Sequence, residues 1–228
     1  MTLDRLGTET SLASLRARHA HSRWSFELDV FAAAGDLACT PRLVESTVAA
    51  PADLATGPGP YVVVIEGSLE VTGHLSLWTD DYRPGLVVVR GDLRARTLSF
   101  DNGARAVVEG SVFVEDCLFG DHGDRNGVLS VAGELRARAL LLRHGARAYA
   151  GAGVSALIYA AEGTWEGLWP DIADEGVGDG AQFFAGAVLD RYGDLDFKRA
   201  IEAARAGHPL FLPGVEDAFP ARPTARRT

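Results

Sequence analysis

The chain has 228 residues, 47% of them hydrophobic and 23% charged, which fits one or two globular domains and excludes wholesale disorder. Its formal net charge of −9 disfavours duplex nucleic acid as a partner, because phosphate neutralisation needs a basic face. Its two cysteines, Cys39 and Cys117, form neither a disulfide framework nor a structural zinc motif.

The first residues carry no basic patch followed by an apolar core, so no signal peptide is predicted. No apolar run approaches the roughly 18 residues of a membrane-spanning helix. We therefore expect a cytoplasmic protein that has no membrane partner.

Residues 1–60 are predicted to form an N-terminal cap and a linker. A short helix is expected within 9–22, with Thr10 or Ser11 as its N-cap and Leu12 and Leu15 on one face. Apolar residues then alternate with polar ones, which suggests a strand or the edge of a cap, at Trp24, Phe26, Leu28 and Val30. Residues 49–60 are rich in proline and glycine and are predicted to be the linker.

Residues 61–160 contain a repeat, apolar-x-Gly-x-apolar-x-apolar, that occurs four times. The four copies are 65–71, 89–95, 108–114 and 131–137. Their period-2 alternation is typical of strands with one apolar face, and the glycine fits a bend between two short strands. The glycines follow one another at intervals of 24, 19 and 23 residues, about the length of one turn of a β-helix.

The predicted fold is therefore mainly β: a parallel β-solenoid (β-helix) of about four to five coils with N-terminal and C-terminal helical caps. Two interior columns are expected. The first contains Ile65, Val89, Val108 and Val131; the second contains Leu69, Leu93, Val112 and Leu135.

Outward positions support parallel stacking, because charges of opposite sign alternate from coil to coil. One such row is Glu66, Arg90 and Glu109, and a second is Arg96, Glu115 and Arg138. A third outward row is apolar and should be covered by one of the flanking segments; it contains Val64, Val88, Val107 and Ser130.

Residues 161–219 are predicted to form a C-terminal helical region and 220–228 a disordered tail. One helix is expected from Gln182 to about Tyr192, and a second from Asp196 to Ala206. Asp196 is a suitable N-cap for the second helix, Gly207 a suitable C-cap, and Pro209 prevents its continuation.

The four glycine-centred segments resemble those of bactofilin-like, polymer-forming β-helical bacterial proteins. The resemblance covers about 100 of the 228 residues and implies a bacterial β-helix. Coil length varies more here than in those proteins, and a helical region follows the coils. A looser resemblance links small acidic solenoids of this kind to the immunity and accessory proteins of secreted toxins.

The 24- and 23-residue coils carry long loops at equivalent positions, and such loops often form the binding face of a solenoid. We expect them to emerge about 10 Å apart, two coil spacings, and to form one partner-binding patch. Its candidate residues are Trp78, Asp80, Asp81, Tyr82, Arg83, Asp121, His122, Asp124 and Arg125. Aromatic and arginine side chains among acids suit a protein contact, particularly with a basic partner.

No catalytic residue, metal site or cofactor is predicted. The irregular coil lengths do not fit the steady 18-residue coils of hexapeptide acyltransferases, and 121–126 lacks the remainder of a calcium loop. The chain is thus expected to be a non-enzymatic module that binds a protein, with an immunity or accessory protein to a toxin as one form of this role. The alternatives are a self-assembling bactofilin-like scaffold, which would make the chain a homo-oligomer, and a β-helix enzyme acting on sugars or acyl groups.

Replacing Leu93 by Asp tests the predicted interior columns. An unpaired charge inside a packed stack should lower the free energy of unfolding by several kcal/mol, on the order of 3–5. Urea denaturation followed by circular dichroism measures this, and an unchanged midpoint would place Leu93 outside the core.

Overall fold

In the computed structural model the chain forms a parallel β-solenoid of about five turns, as the repeat predicts. The structure describes residues 2–33, 39–80, 83–122, 127–161, 170–174, 179–219 and 222–223. Four helices lie within these residues: α1 (Leu12–Arg18), α2 (Ser25–Ala33), α3 (Phe197–Ala206) and α4 (Val215–Ala218).

The strands fall into three groups along the chain. The N-terminal strands are β1 (Thr8–Glu9), β2 (Arg42–Val44), β3 (Val48–Ala50) and β4 (Leu54–Ala55). The central strands are β5 (Tyr61–Ile65), β6 (Leu69–Leu77), β7 (Gly85–Val89), β8 (Leu93–Asp101), β9 (Ala104–Val108), β10 (Val112–Val114), β11 (Cys117–Asp121), β12 (Val128–Val131) and β13 (Glu134–Leu142). The last strands are β14 (Arg147–Ala150), β15 (Gly153–Ala161), β16 (Ile172–Asp174) and β17 (Arg222–Pro223).

Each turn contributes one short strand to the first wall and a longer stretch of strand to the two others. The first wall contains β2, β5, β7, β9, β12 and β14, each parallel to the next. The long strands shift register midway, between Val71 and His74 in β6, so each one supplies a second and a third wall. In β10 and β11 the same two walls are formed by separate strands.

Both predicted interior columns are confirmed. Ile65 pairs with Val89, and Val89 and Val131 both pair with Val108. In the second column Leu69 pairs with Leu93, and Val112 lies between Leu93 and Leu135. All eight side chains are at most 3% exposed, so they form the centre of the core.

The stacking begins earlier than the composition suggests. The segment 49–60 was predicted to be a linker. Strand β4 and most of β3 lie within it, and both strands pair in parallel with β6. Strand β2 pairs in the same way with β5. Residues 42–55 therefore form a first turn, although this turn lacks the glycine-centred repeat from which the others can be recognised.

The first charged row forms as predicted, but the second does not. Arg90 binds Glu66 at 3.0 Å and Glu109 at 2.8 Å, one on each neighbouring turn. Arg138, however, binds Asp116 at 2.6 Å rather than Glu115. An extra residue between Val114 and Leu118 shifts this turn by one position, which brings Asp116 level with Arg138.

The apolar outward row is covered by the N-terminal helices. Val64 and Val88 are fully buried and pack in one cluster with Leu15 of α1 and with Leu28 and Phe31 of α2. The first helix and its Ser11 N-cap are confirmed, since the Ser11 side chain accepts a hydrogen bond from the Ser14 backbone N–H. The strand expected around Trp24 to Val30 is wrong, because Ser25–Ala33 is a helix.

The C-terminal region covers the outer surface of the third wall. Phe119, Leu141 and Tyr159 point outward there and pack against Phe184, Phe197 and other apolar residues of 184–211. The helix expected from Asp196 to Ala206 is confirmed as α3, with Asp196 as N-cap and Gly207 as left-handed C-cap. The helix expected from Gln182 to Tyr192 is wrong: Asp179–Gln182 and Gly186–Val188 are short 3-10 turns.

Both flanking regions also reach along the stack. Leu3 is fully buried in the solenoid core, and Thr8–Glu9 pairs antiparallel with β2, so residues 2–9 lie against the first turn. At the far end of α3, Arg205 forms an ion pair with Asp53 of the first turn. Of the predicted disordered tail, 220–221 and 224–228 lie outside the described residues, whereas Arg222–Pro223 pairs antiparallel with β15.

One interior column requires a residue with no side chain. Gly120 lies in register between Phe100 and Leu142. A Cβ on Gly120 would stand 2.5 Å from the Phe100 ring and 2.7 Å from the Leu142 methyl group. The Phe100 ring thus occupies the space that a side chain at position 120 would need.

Gly120→Ala should therefore destabilise the protein by about 1–3 kcal/mol, because the added methyl group overpacks the core. In Phe100→Leu/Gly120→Ala the smaller side chain should relieve the clash, so that the two costs are less than additive. Gly186→Ala is the control, since a Cβ there has nothing within 4 Å. Urea unfolding of wild type, Phe100→Leu, Gly120→Ala and the double variant measures the coupling, and full additivity would contradict the clash.

Candidate functional site

The long strands of the third wall end at one corner of the solenoid. Asp101 and Asp121 lie in register at the ends of β8 and β11. Leu77 pairs with Phe100 and Gly120 with Leu142, so Trp78 and Arg143 occupy the same level of their own turns. We call residues 78–80, 101–103, 121–122 and 143–145 the loop corner.

The backbone adopts the same left-handed conformation at this corner in three successive turns of the solenoid. Asn102, His122 and His144 have φ values of 55°, 43° and 48°, the only positive values for non-glycine residues within the described part of the chain. Asparagine adopts this left-handed conformation readily, whereas it is less usual for histidine. The shared geometry presents equivalent side chains of neighbouring turns side by side, and the His122 and His144 rings stack at 4.7 Å.

Asp121 is the centre of the polar contacts at the corner. Its carboxylate accepts two hydrogen bonds from the Arg143 guanidinium, at 3.0 and 2.8 Å, and approaches His144 Nδ1 to 2.8 Å. The backbone N–H of His122 donates to the same carboxylate at 2.9 Å. Burial opposes ionisation of Asp121, but the contacts with Arg143 and His144 outweigh it and lower its pKa.

Asp101 and Arg143 complete the electrostatics. Burial, together with the nearby Asp121 charge, raises the pKa of Asp101 above its usual value. The Arg143 guanidinium is held from the opposite side, where it donates to the Leu195 carbonyl at 2.9 Å and lies 4.2 Å above the Phe197 ring. The C-terminal region thus fixes the arginine that orients Asp121.

Five of the nine predicted patch residues lie in the described part of the chain. Four of them lie at the loop corner: Trp78, Asp80, Asp121 and His122. Asp80 and His122 are exposed, and Trp78 is half-buried. Arg83 is exposed beside it and donates to the Gly59 carbonyl at 3.1 Å. The other four lie outside the described residues: Asp81, Tyr82, Asp124 and Arg125.

Three residues of the corner were not among the predicted patch residues, namely Asp101, Arg143 and His144. They belong to the two short turns, which carry no inserted residues and were therefore not expected to form a binding face. A signal was nevertheless present, since in-register stacking places Arg143-His144 directly beside Asp121-His122.

A second polar cluster lies on the outer face of the third wall. The His74 ring contacts Thr97 Oγ1 at 2.8 Å through Nδ1 and Ser99 Oγ at 3.0 Å through Nε2. Burial, aided by the Arg205 charge, lowers the pKa of His74 to about 4. Because Ser99 is 7% exposed and His74 is fully partnered, the pair is suited to holding the wall together rather than to nucleophilic attack.

Within the described residues, no helix combines the length and apolar character needed to cross a membrane. Comparison with known proteins found no family model, curated protein or solved structure that matches the chain.

Because the pKa of His74 is lowered in the folded protein, the free energy of unfolding should decrease as the pH is lowered. Between the ordinary histidine value near 6.5 and about 4, the unfolded chain binds a proton that the folded chain does not, so acid favours unfolding. From pH 7 to pH 5 this contributes a loss of about 2 kcal/mol. His74→Gln should remove that part of the pH dependence in urea titrations at both pH values, whereas His208→Gln, at an exposed site, should not. Parallel pH profiles for wild type and His74→Gln would contradict the assignment.

Proposed function

We propose that this chain is a non-enzymatic, cytoplasmic bacterial β-solenoid that binds a protein partner through the loop corner. An accessory or immunity protein to a toxin is one form of this role. The observation that carries the proposal is that Trp78 and Asp80 lie at the same corner of the solenoid as Asp121 and His122, two turns away.

The composition of the corner favours a protein partner. A half-buried tryptophan supplies apolar contact area, and exposed Asp80 and Arg83 supply charged groups beside it. Aromatic and arginine residues are enriched in the centres of protein interfaces, and complementary charges accelerate encounter. With a net charge of −9, the chain should attract a basic partner most strongly.

The rigidity of the corner supports binding rather than catalysis. Asp121 is engaged by Arg143, and Arg143 is itself fixed by Leu195 and Phe197. A preformed surface loses little conformational entropy when a partner binds. A general acid or base would instead need access to a substrate proton, which the bidentate contact with arginine obstructs.

The variant Trp78→Ala/Asp80→Lys/Arg83→Glu tests the surface. Because these side chains are exposed or half-buried, the fold should persist, and affinity for the partner should fall at least about 100-fold. The partner is identified by affinity capture with the wild-type chain and mass spectrometry, and titration calorimetry with the purified partner then gives the affinities. Affinity should also weaken as salt is raised.

The matched control is Glu70→Lys/Arg94→Glu, which changes two exposed charges on the second wall. Its affinity should equal that of wild type. Equal affinity of the corner variant would remove the corner as the binding surface. Size-exclusion chromatography separates the scaffold alternative, because a self-assembling chain should form large, concentration-dependent species.

A further inference from the structure

Three side chains at the loop corner bring potential metal ligands together. Asp121, His122 and His144 each offer one ligand atom, and these atoms lie within 4.8 Å of one another. The His122 and His144 side chains are each 53% exposed, so the group is accessible from solvent. All three belong to described residues and come from two adjacent turns.

The fold itself imposes this proximity. Successive turns are about 4.8 Å apart, and the two imidazole rings occupy equivalent left-handed positions in neighbouring turns. Asp121 immediately precedes one of these histidines, and its carboxylate reaches across to the next turn. The ligand set is therefore fixed by strands β11 and β13 and does not depend on loop closure.

The distances are close to those around a tetrahedral ion. With bonds of about 2.0–2.2 Å to nitrogen and oxygen, neighbouring ligand atoms stand roughly 3.3–3.6 Å apart. His144 Nδ1 lies 2.8 Å from Asp121 Oδ1, and His122 Nε2 lies 3.6 Å from Asp121 Oδ2. The His122 separation matches this spacing, whereas the exposed His144 ring must rotate away from Asp121 to reach it.

The surrounding charges favour a cation and hold its carboxylate in place. Asp101 and Asp121 lie in register on neighbouring turns, so two carboxyl groups stand at the corner that holds the single guanidinium of Arg143. Arg143 binds Asp121 from the side of Leu195 and Phe197, so it orients the carboxylate as outer-sphere partners commonly do in metal sites. Its positive charge limits the affinity.

We propose that Asp121, His122 and His144 bind one divalent transition-metal cation of the zinc class, with a solvent-facing position left open. Two imidazole nitrogens and one carboxylate suit Zn²⁺ or Co²⁺, whereas Mg²⁺ and Ca²⁺ require oxygen ligands. This site shares Asp121 and His122 with the proposed binding surface, but metal binding needs no partner, and the proposal goes beyond the proposed function.

Titration calorimetry of the tag-free protein with Zn²⁺ measures the binding, and Co²⁺ absorption reports nitrogen and oxygen coordination. We expect one ion per chain for wild type. His122→Asn and His144→Asn should each weaken binding at least about ten-fold. Asparagine is chosen because Asn102 adopts the same conformation at the equivalent position, so the turn is preserved.

His208→Asn and Cys39→Ser are the controls, and both should bind Zn²⁺ as wild type does. Circular dichroism confirms that each variant is folded. The proposal is overturned if wild type binds no Zn²⁺, if both histidine variants bind it as tightly as wild type, or if Mg²⁺ binds equally well. In any of these cases the contact between His144 and Asp121 is only a hydrogen bond.

Discussion

The parallel ladder of backbone hydrogen bonds between successive turns determines which side chains of the solenoid lie next to one another. Because each residue pairs with its equivalent one turn away, a single position in the sequence becomes a column in the structure. Apolar positions thus merge into a continuous core, and outward positions become rows of like or opposite character. The stacked histidines at the loop corner and the Glu66–Arg90–Glu109 row arise from the same constraint.

The sequence allowed the fold to be predicted wherever a periodic pattern was strong. The alternation around Gly67 and its equivalents gave the interior columns, and the outward valines showed that a cover was needed. Prediction failed where a short stretch fits both the 3.6-residue period of a helix and the two-residue period of a strand. Trp24, Leu28 and Phe31 form one helical face, yet Trp24, Phe26 and Leu28 also alternate as a strand would.

The cover on the third wall was missed for a different reason. Phe119, Leu141 and Tyr159 are outward-facing apolar residues, but each lies in a nearly continuous apolar run. Such a run does not reveal which residues face the core and which face a covering segment. Only part of the candidate site could be predicted, because the sequence does not reveal the register between turns. Loop length identified Trp78 and Asp121, whereas Arg143 and His144 become neighbours of Asp121 only once the register is known.

The lengthwise course of the C-terminal region affects how the solenoid comes apart. A stack whose turns touch only their neighbours can fray from either end, one turn at a time. Here α3 packs across the middle turns through Phe197, Ala200 and Ala204, and Arg205 reaches Asp53 in the first turn. Detaching an end turn therefore also disturbs a segment that rests on several others. The C-terminal region thus couples the turns into one cooperative unit and favours all-or-none unfolding over the loss of one turn at a time.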